Sequence, residues 1–304
     1  MLKRLSFNWK GLFLWSNHFY GLCATLLAIE SVEALFNKMP SIYVLAIIYL
    51  STVVYYTYAY LNEPTDGIYN ERGNWYAKNK KYLFLRQGLF TLAILYLAIF
   101  KLNVIGLFFA FPFWIKCLLL CSLVIAASYY SPLINSKLLR GIRTWGVMKS
   151  ASIAWIWTVM CSLIPLLLSM KSETMSFLLT AHFLLYFSQL FIFILLLAIL
   201  FDIKDLIRDK AEMVHTIVIK YGVDYTIQKL ATPLVRAYFI ISCIIYYLYH
   251  QSIIYLLAQL LLVITVYFVI SVIQKAKSIH YNILFIDGLM IVKALVGIVY
   301  ATYY

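Results

Sequence analysis

Long apolar runs, each about the 20 residues that a helix needs to cross a bilayer, repeat along the chain and are separated by short polar stretches. No segment alternates with period two, and no short-period repeat is present. Within hydrocarbon every backbone N–H and C=O must be satisfied inside its own segment, so runs of this kind read as helices. The pattern predicts nine spans, at roughly 12–30, 42–61, 83–100, 107–128, 147–168, 178–201, 231–249, 252–273 and 283–303. The fourth is the weakest, because Pro112 and Lys116 interrupt its apolar run. The expected fold is all-α: a polytopic membrane helical bundle, about nine transmembrane helices around a central apolar cavity, with residues 1–304 as one domain.

Composition fits this picture. The chain is 64% hydrophobic and 12% charged, about half the charged fraction of a soluble domain. Its net charge of +13 would suggest nucleic acid on a soluble protein. Here 20 of the 25 basic residues, Arg86 and Lys149 among them, fall to one side of the predicted spans, so no nucleic-acid partner is expected. Lys38, Lys101 and Lys171 fall to the other side, and Lys116 and Lys293 within spans. This asymmetry predicts a cytoplasmic N-terminus and an outside C-terminus, in what is expected to be a prokaryotic plasma membrane. The first run lacks a small-residue cleavage site and reads as a retained span. Cys117 and Cys121 are i,i+4 neighbours, but without histidine partners they read as packing residues.

Two acidic clusters carry the candidate chemistry. Six of the 12 acidic residues are Glu63, Asp66 and Glu71, after the second span, and Asp202, Asp205 and Asp209, after the sixth. Asp202, Asp205 and Asp209 are spaced to share one helix face, where like charges repel. The plain alternative is a solvated helix end with Lys204, Arg208 and Lys210 as partners. Asn62, Asp66 and Asn70, with Glu63 alongside, repeat the spacing with oxygen-bearing side chains; the alternative there is a polar turn at Pro64 and Gly67. Both clusters fall on the same side. Hard oxygen ligands in this number suit Mg2+ and, through it, a diphosphate. The candidate metal ligands are Asn62, Glu63, Asp66, Asn70, Asp202, Asp205 and Asp209.

The pattern Asn62-Glu63-x-x-Asp66-x-x-x-Asn70 resembles the first motif of the UbiA superfamily of intramembrane prenyltransferases, N-D-x-x-D-x-x-x-D. The stretch from Asp202 to Lys210, then Thr216 and Tyr221-Gly222, resembles that family's second motif and its tail. Tyr129-Tyr130-Ser131-Pro132 with Lys137 and Arg140 is similar to its Tyr-Ser-x-Pro-Pro…Lys stretch, and Asn17 matches an Asn of its first span. The chain departs at three places: Glu63 stands where the family has Asp, Asn70 where it has a third Asp, and Leu14-Trp15 where it usually has Arg-Pro ahead of the first-span Asn.

The resemblance implies a Mg2+-dependent prenyltransferase in which Asp66, Asp205 and Asp209 are the catalytic carboxylates, with Asn62, Glu63 and Asp202 helping to hold the ions. A prenyl diphosphate would be the donor and a lipophilic, aromatic or lipid molecule the acceptor, with the lipid bilayer as the surrounding phase. Lys137, Arg140, Tyr130 and Lys78 would bind the diphosphate, while Asn17 and Asn62 would bind other parts of the substrates. Two other readings stay open: a membrane terpene cyclase of the same family, and a non-catalytic lipid binder or transporter. Among buried polar residues, Asp287 would orient an acceptor or pair with a basic residue, Lys293 and Glu30 read as ion-pair groups, His18 and Asn17 fall where they could face the cavity, and His182 reads as structural.

Overall fold

A computed structural model describes residues 10–61, 71–130, 146–169, 174–211, 216–273 and 283–303. Among these residues there is no strand, and eight helices are long and apolar enough to span a bilayer. They are α1 (His18–Phe36), α2 (Ile42–Leu61), α3 (Arg72–Lys101), α5 (Met148–Ser169), α6 (Ala181–Lys204), α7 (Val223–Leu248), α8 (Ile253–Ile273) and α9 (Leu284–Tyr303). The ninth, α4 (Phe113–Tyr130), is shorter. It is cut off from a seven-residue helix, Val104–Ala110, at Phe111-Pro112. Phe111 is extended there (φ −67°, ψ 146°), as a residue before proline tends to be. The predicted fourth span is therefore broken where Pro112 interrupts it.

Helices adjacent in sequence pack as neighbours from α5 through α9, and α9 returns to α1, which also meets α2 and α5. α1, α5 and α6 bury most of their residues, whereas α3 buries few and shows Phe84, Leu85, Leu89 and Leu92 outward. Such exposed apolar faces are what hydrocarbon would cover. α3 has 30 residues, about 45 Å at 1.5 Å each, which is longer than a hydrocarbon core of about 30 Å. Its charged N-terminal turns, Arg72 to Lys81, extend the helix beyond the apolar stretch predicted from residue 83.

α1 begins six residues later than the apolar run does. Residues Lys10–Trp15 form a separate wide turn, and Asn17 takes a left-handed conformation (φ 67°) before the helix proper starts. Asparagine tolerates that region better than other residues with a Cβ.

One ion pair ties α1 to α9 within the spans. The Lys293 ammonium lies 2.9 and 2.7 Å from the two Glu30 carboxylate oxygens, and the Tyr186 hydroxyl donates to Glu30 at 2.7 Å. Gly297 makes room for it, since a Cβ there would collide with the Glu30 side chain. Lys293 thus pairs with Glu30 and not with Asp287. A cavity of about 420 Å3 opens to one side of the bundle, between α2, α4 and α5. The Tyr56 and Tyr20 rings, stacked 4.7 Å apart, fill the space between this cavity and α1.

Candidate functional site

The starts of α1, α3, α5 and α9 and the ends of α2 and α6 meet at one end of the bundle. The polar residues of the chain's motifs that the structure describes gather there.

The second acidic cluster is built on a helix break. α6 ends at Lys204, Asp205 caps it, and a short helix, Leu206–Ala211, resumes with the Asp209 amide donating to the Asp205 carbonyl at 2.8 Å. The break splits the predicted stripe. Asp202 and Asp209 turn inward and are buried, and Lys149, from the first turn of α5, lies between them. Its ammonium is 2.9 Å from Asp202 Oδ1 and 2.9 Å from Asp209 Oδ2. The neighbouring Ser150 hydroxyl donates to Asp202 Oδ2 at 2.8 Å. Asp205 is different: its side chain is 26% exposed, and Lys204 approaches it only to 3.7 Å.

Asn17 is the second centre. It is fully buried; its amide donates to Thr57 Oγ1 at 3.1 Å and to Tyr76 Oη at 2.8 Å, and its oxygen accepts from Arg72 at 2.5 Å. The Arg72 guanidinium also lies 3.4 Å above the Tyr60 ring. Arg86 reaches the same network from deeper in α3, donating to Thr57 at 2.8 Å and lying 3.3 Å from His18 Nε2. The other His18 nitrogen is 2.7 Å from Tyr49 Oη. Two basic residues that read as loop charges, Arg86 and Lys149, are therefore buried side chains of this end.

Asp287 ends a wide turn, Ile283–Asp287, at the start of α9. Widened turns inside helices recur at functional sites. The residue is 2% exposed, and its Oδ2 has no hydrogen-bond partner. The Tyr20 phenol lies beside it, and Lys204, Arg72 and Asp205 act on it electrostatically. It therefore sits between the Asn17 centre and the second acidic cluster.

The remaining candidates divide as follows. Lys78 is exposed on α3. Thr216 caps the short helix Ile217–Tyr221 by accepting from the Ile219 amide at 3.3 Å, and Gly222 follows at φ 86°, which favours glycine. His182 stacks on Tyr249 with ring centroids 4.0 Å apart, a packing role. Asn62, Glu63, Asp66, Asn70, Lys137 and Arg140 lie outside the described residues, as does the side chain of Tyr130.

A hard divalent cation fits part of this arrangement. Asp205 keeps a partly exposed carboxylate whose ion-pair partner, Lys204, comes no closer than 3.7 Å. Asp202 and Asp209 do not fit as they stand, because an ammonium already lies between them. Among the described residues, no three His, Cys, Asp or Glu side chains gather as a metal cluster.

The cavity adds the apolar half. Tyr55, Tyr56, Tyr129 and Trp157 line it together with Leu119, Leu123, Ile156 and Met160. The Trp157 indole donates to Tyr56 Oη at 2.7 Å, which fixes both rings.

This arrangement of helices is similar to a solved structure of a UbiA homologue from Archaeoglobus fulgidus bound to GPP and Mg2+. The TM-score is 0.60 over 95% of this chain and 98% of that one, at 15% sequence identity. No protein-family model matches the chain, and no curated protein matches it. The UbiA-type fold expected from the two acidic motifs is the fold that the chain adopts.

Proposed function

We propose, from the fold that this chain shares with a UbiA homologue, that it transfers a prenyl group from a prenyl diphosphate to a lipophilic acceptor. The reaction is Mg2+-dependent and takes place at the cytoplasmic side of the membrane. The observation that carries this reading is the junction of two environments. Oxygen ligands and cations gather at one bundle end, and an apolar cavity with aromatic walls lies between α2, α4 and α5.

Bound Mg2+ would supply positive charge to the diphosphate as the C–O bond breaks. Asp205 and, from the first cluster, Glu63 and Asp66 would hold it, with Asn62 and Asn70 as neutral oxygen ligands. Arg72, Lys137 and Arg140 bind the diphosphate oxygens, and Lys78 assists from the exposed face of α3. Asn17 holds Arg72 in place through its hydrogen bond. The hydrocarbon tail occupies the cavity, where Tyr55, Tyr56, Tyr129 and Trp157 present ring faces that favour a cation. The same walls exclude water from the allylic cation. Asp287, buried beside Tyr20 with one carboxylate oxygen unpartnered, is the group that takes up the acceptor's proton.

The aromatic lining also suits a cyclase, in which the cation is captured within its own chain. Product analysis separates the two. Purified protein in detergent, given labelled GPP and a membrane extract as acceptor source, is expected to form a prenylated lipid-soluble product that is lost in Asp205→Ala. A cyclic hydrocarbon formed without extract would replace transfer by cyclisation. No product under either condition would leave a binding or transport role.

A further inference from the structure

Among the described residues, Lys149 and Lys293 are the buried lysines, and the Lys149 ammonium lies between two motif carboxylates. It is 9% exposed, and both its ion pairs are at full contact distance. Ser150 completes the hydrogen bonding of Asp202. An ammonium held 2.9 Å from one oxygen of each of two aspartates does what a divalent ion would do there: it cancels their repulsion and ties two elements together. A second cation on those oxygens would face Lys149 at contact range. The first cluster leans the same way, since it offers two carboxylates, Glu63 and Asp66, between two amides, Asn62 and Asn70.

We infer that Lys149 is a built-in cation that closes the Asp202–Asp209 pair to divalent ions, so that this site binds one exchangeable divalent ion with diphosphate. This rests on the Mg2+-dependent reading above and deepens it. Lys149 is a positioning residue: it acts through the two aspartates. Asp205 is left as the second cluster's contribution to the exchangeable ion, which matches its separate, partly exposed position at the helix break.

The test is equilibrium dialysis of the full chain in detergent with Mn2+ and inorganic diphosphate, counting Mn2+ held per protein molecule. The wild type is expected to hold one. Lys149→Met, which bares both aspartates, is expected to hold two, and Lys149→Arg, which keeps the charge, one. A plain structural ion pair would leave the count at one in all three and would overturn the inference. Two or more ions in the wild type would also overturn it, even if Lys149→Met fails to fold, while leaving the proposed function standing. No Mn2+ in the wild type, with or without diphosphate, would overturn the proposed function and the inference with it.

Discussion

Asn17 combines a left-handed backbone with three hydrogen bonds, the ones to Thr57 and Tyr76 buried and the one from Arg72 partly so. Removing one partner of a buried hydrogen bond costs about 1–3 kcal/mol, and a non-glycine residue held left-handed costs a similar amount. Asn17→Ala is therefore expected to lower the thermal midpoint in detergent clearly, and Asn17→Gly to recover the backbone part of the loss only. Equal midpoints for alanine and wild type would show that the network carries no stability. At this scale the sequence is legible in part. Asn17 stands out as a polar residue at the edge of an apolar run, and the aspartates by their spacing. Lys149 and Arg86 do not, because a lone basic residue near a span end looks the same whether it faces solvent or reaches into the bundle. The difference appears only when α5 meets the end of α6, and α3 meets α1 and α2.

At the scale of elements, apolar length locates the helices well, and it misses what interrupts them. The run at 12–30 does not show that the chain turns at Asn17, and the carboxylate spacing does not show that α6 breaks at Asp205. Both breaks matter, since the first builds the Asn17 centre and the second separates Asp205 from its two neighbours. Pro112 is the exception, a break visible in the sequence and present in the fold. The Glu30–Lys293 pair joins residues 263 positions apart, which no local pattern reveals. Breaking a buried ion pair by removing one partner costs about 3–5 kcal/mol, whereas replacing both partners with neutral groups is often nearly free. Lys293→Met alone is expected to destabilise strongly, and Glu30→Gln/Lys293→Met to recover most of the loss, as read by thermal unfolding in detergent. A double variant no better than Lys293→Met would mean that the pair's geometry, rather than its charge balance, holds α1 against α9.

For the whole molecule, the all-α membrane bundle is legible from hydropathy alone, and the side of the bundle where the cavity opens is not. That depends on which aromatic rings fill the space near α1 and which leave a gap between α2, α4 and α5. Ala126 lines that gap, and its backbone carbonyl already accepts from Tyr55 at 3.0 Å, so a larger side chain there keeps the hydrogen bond while filling the cavity. Each buried methylene is worth about 0.8 kcal/mol, so loss of space for one five-carbon unit costs about 4 kcal/mol. Ala126→Trp is expected to lower turnover of geranylgeranyl diphosphate relative to GPP by at least tenfold. An unchanged ratio in competition assays would place the tail elsewhere. The central claim, that this bundle end ionises a prenyl diphosphate, is tested most directly by diphosphate release from geranyl, farnesyl and geranylgeranyl diphosphates by purified protein, with and without Mg2+. Release that needs Mg2+ and falls at least a hundredfold in Asp205→Ala is the expected result. No release from any donor, even with membrane extract supplying acceptors, or full release by Asp205→Ala, would contradict it.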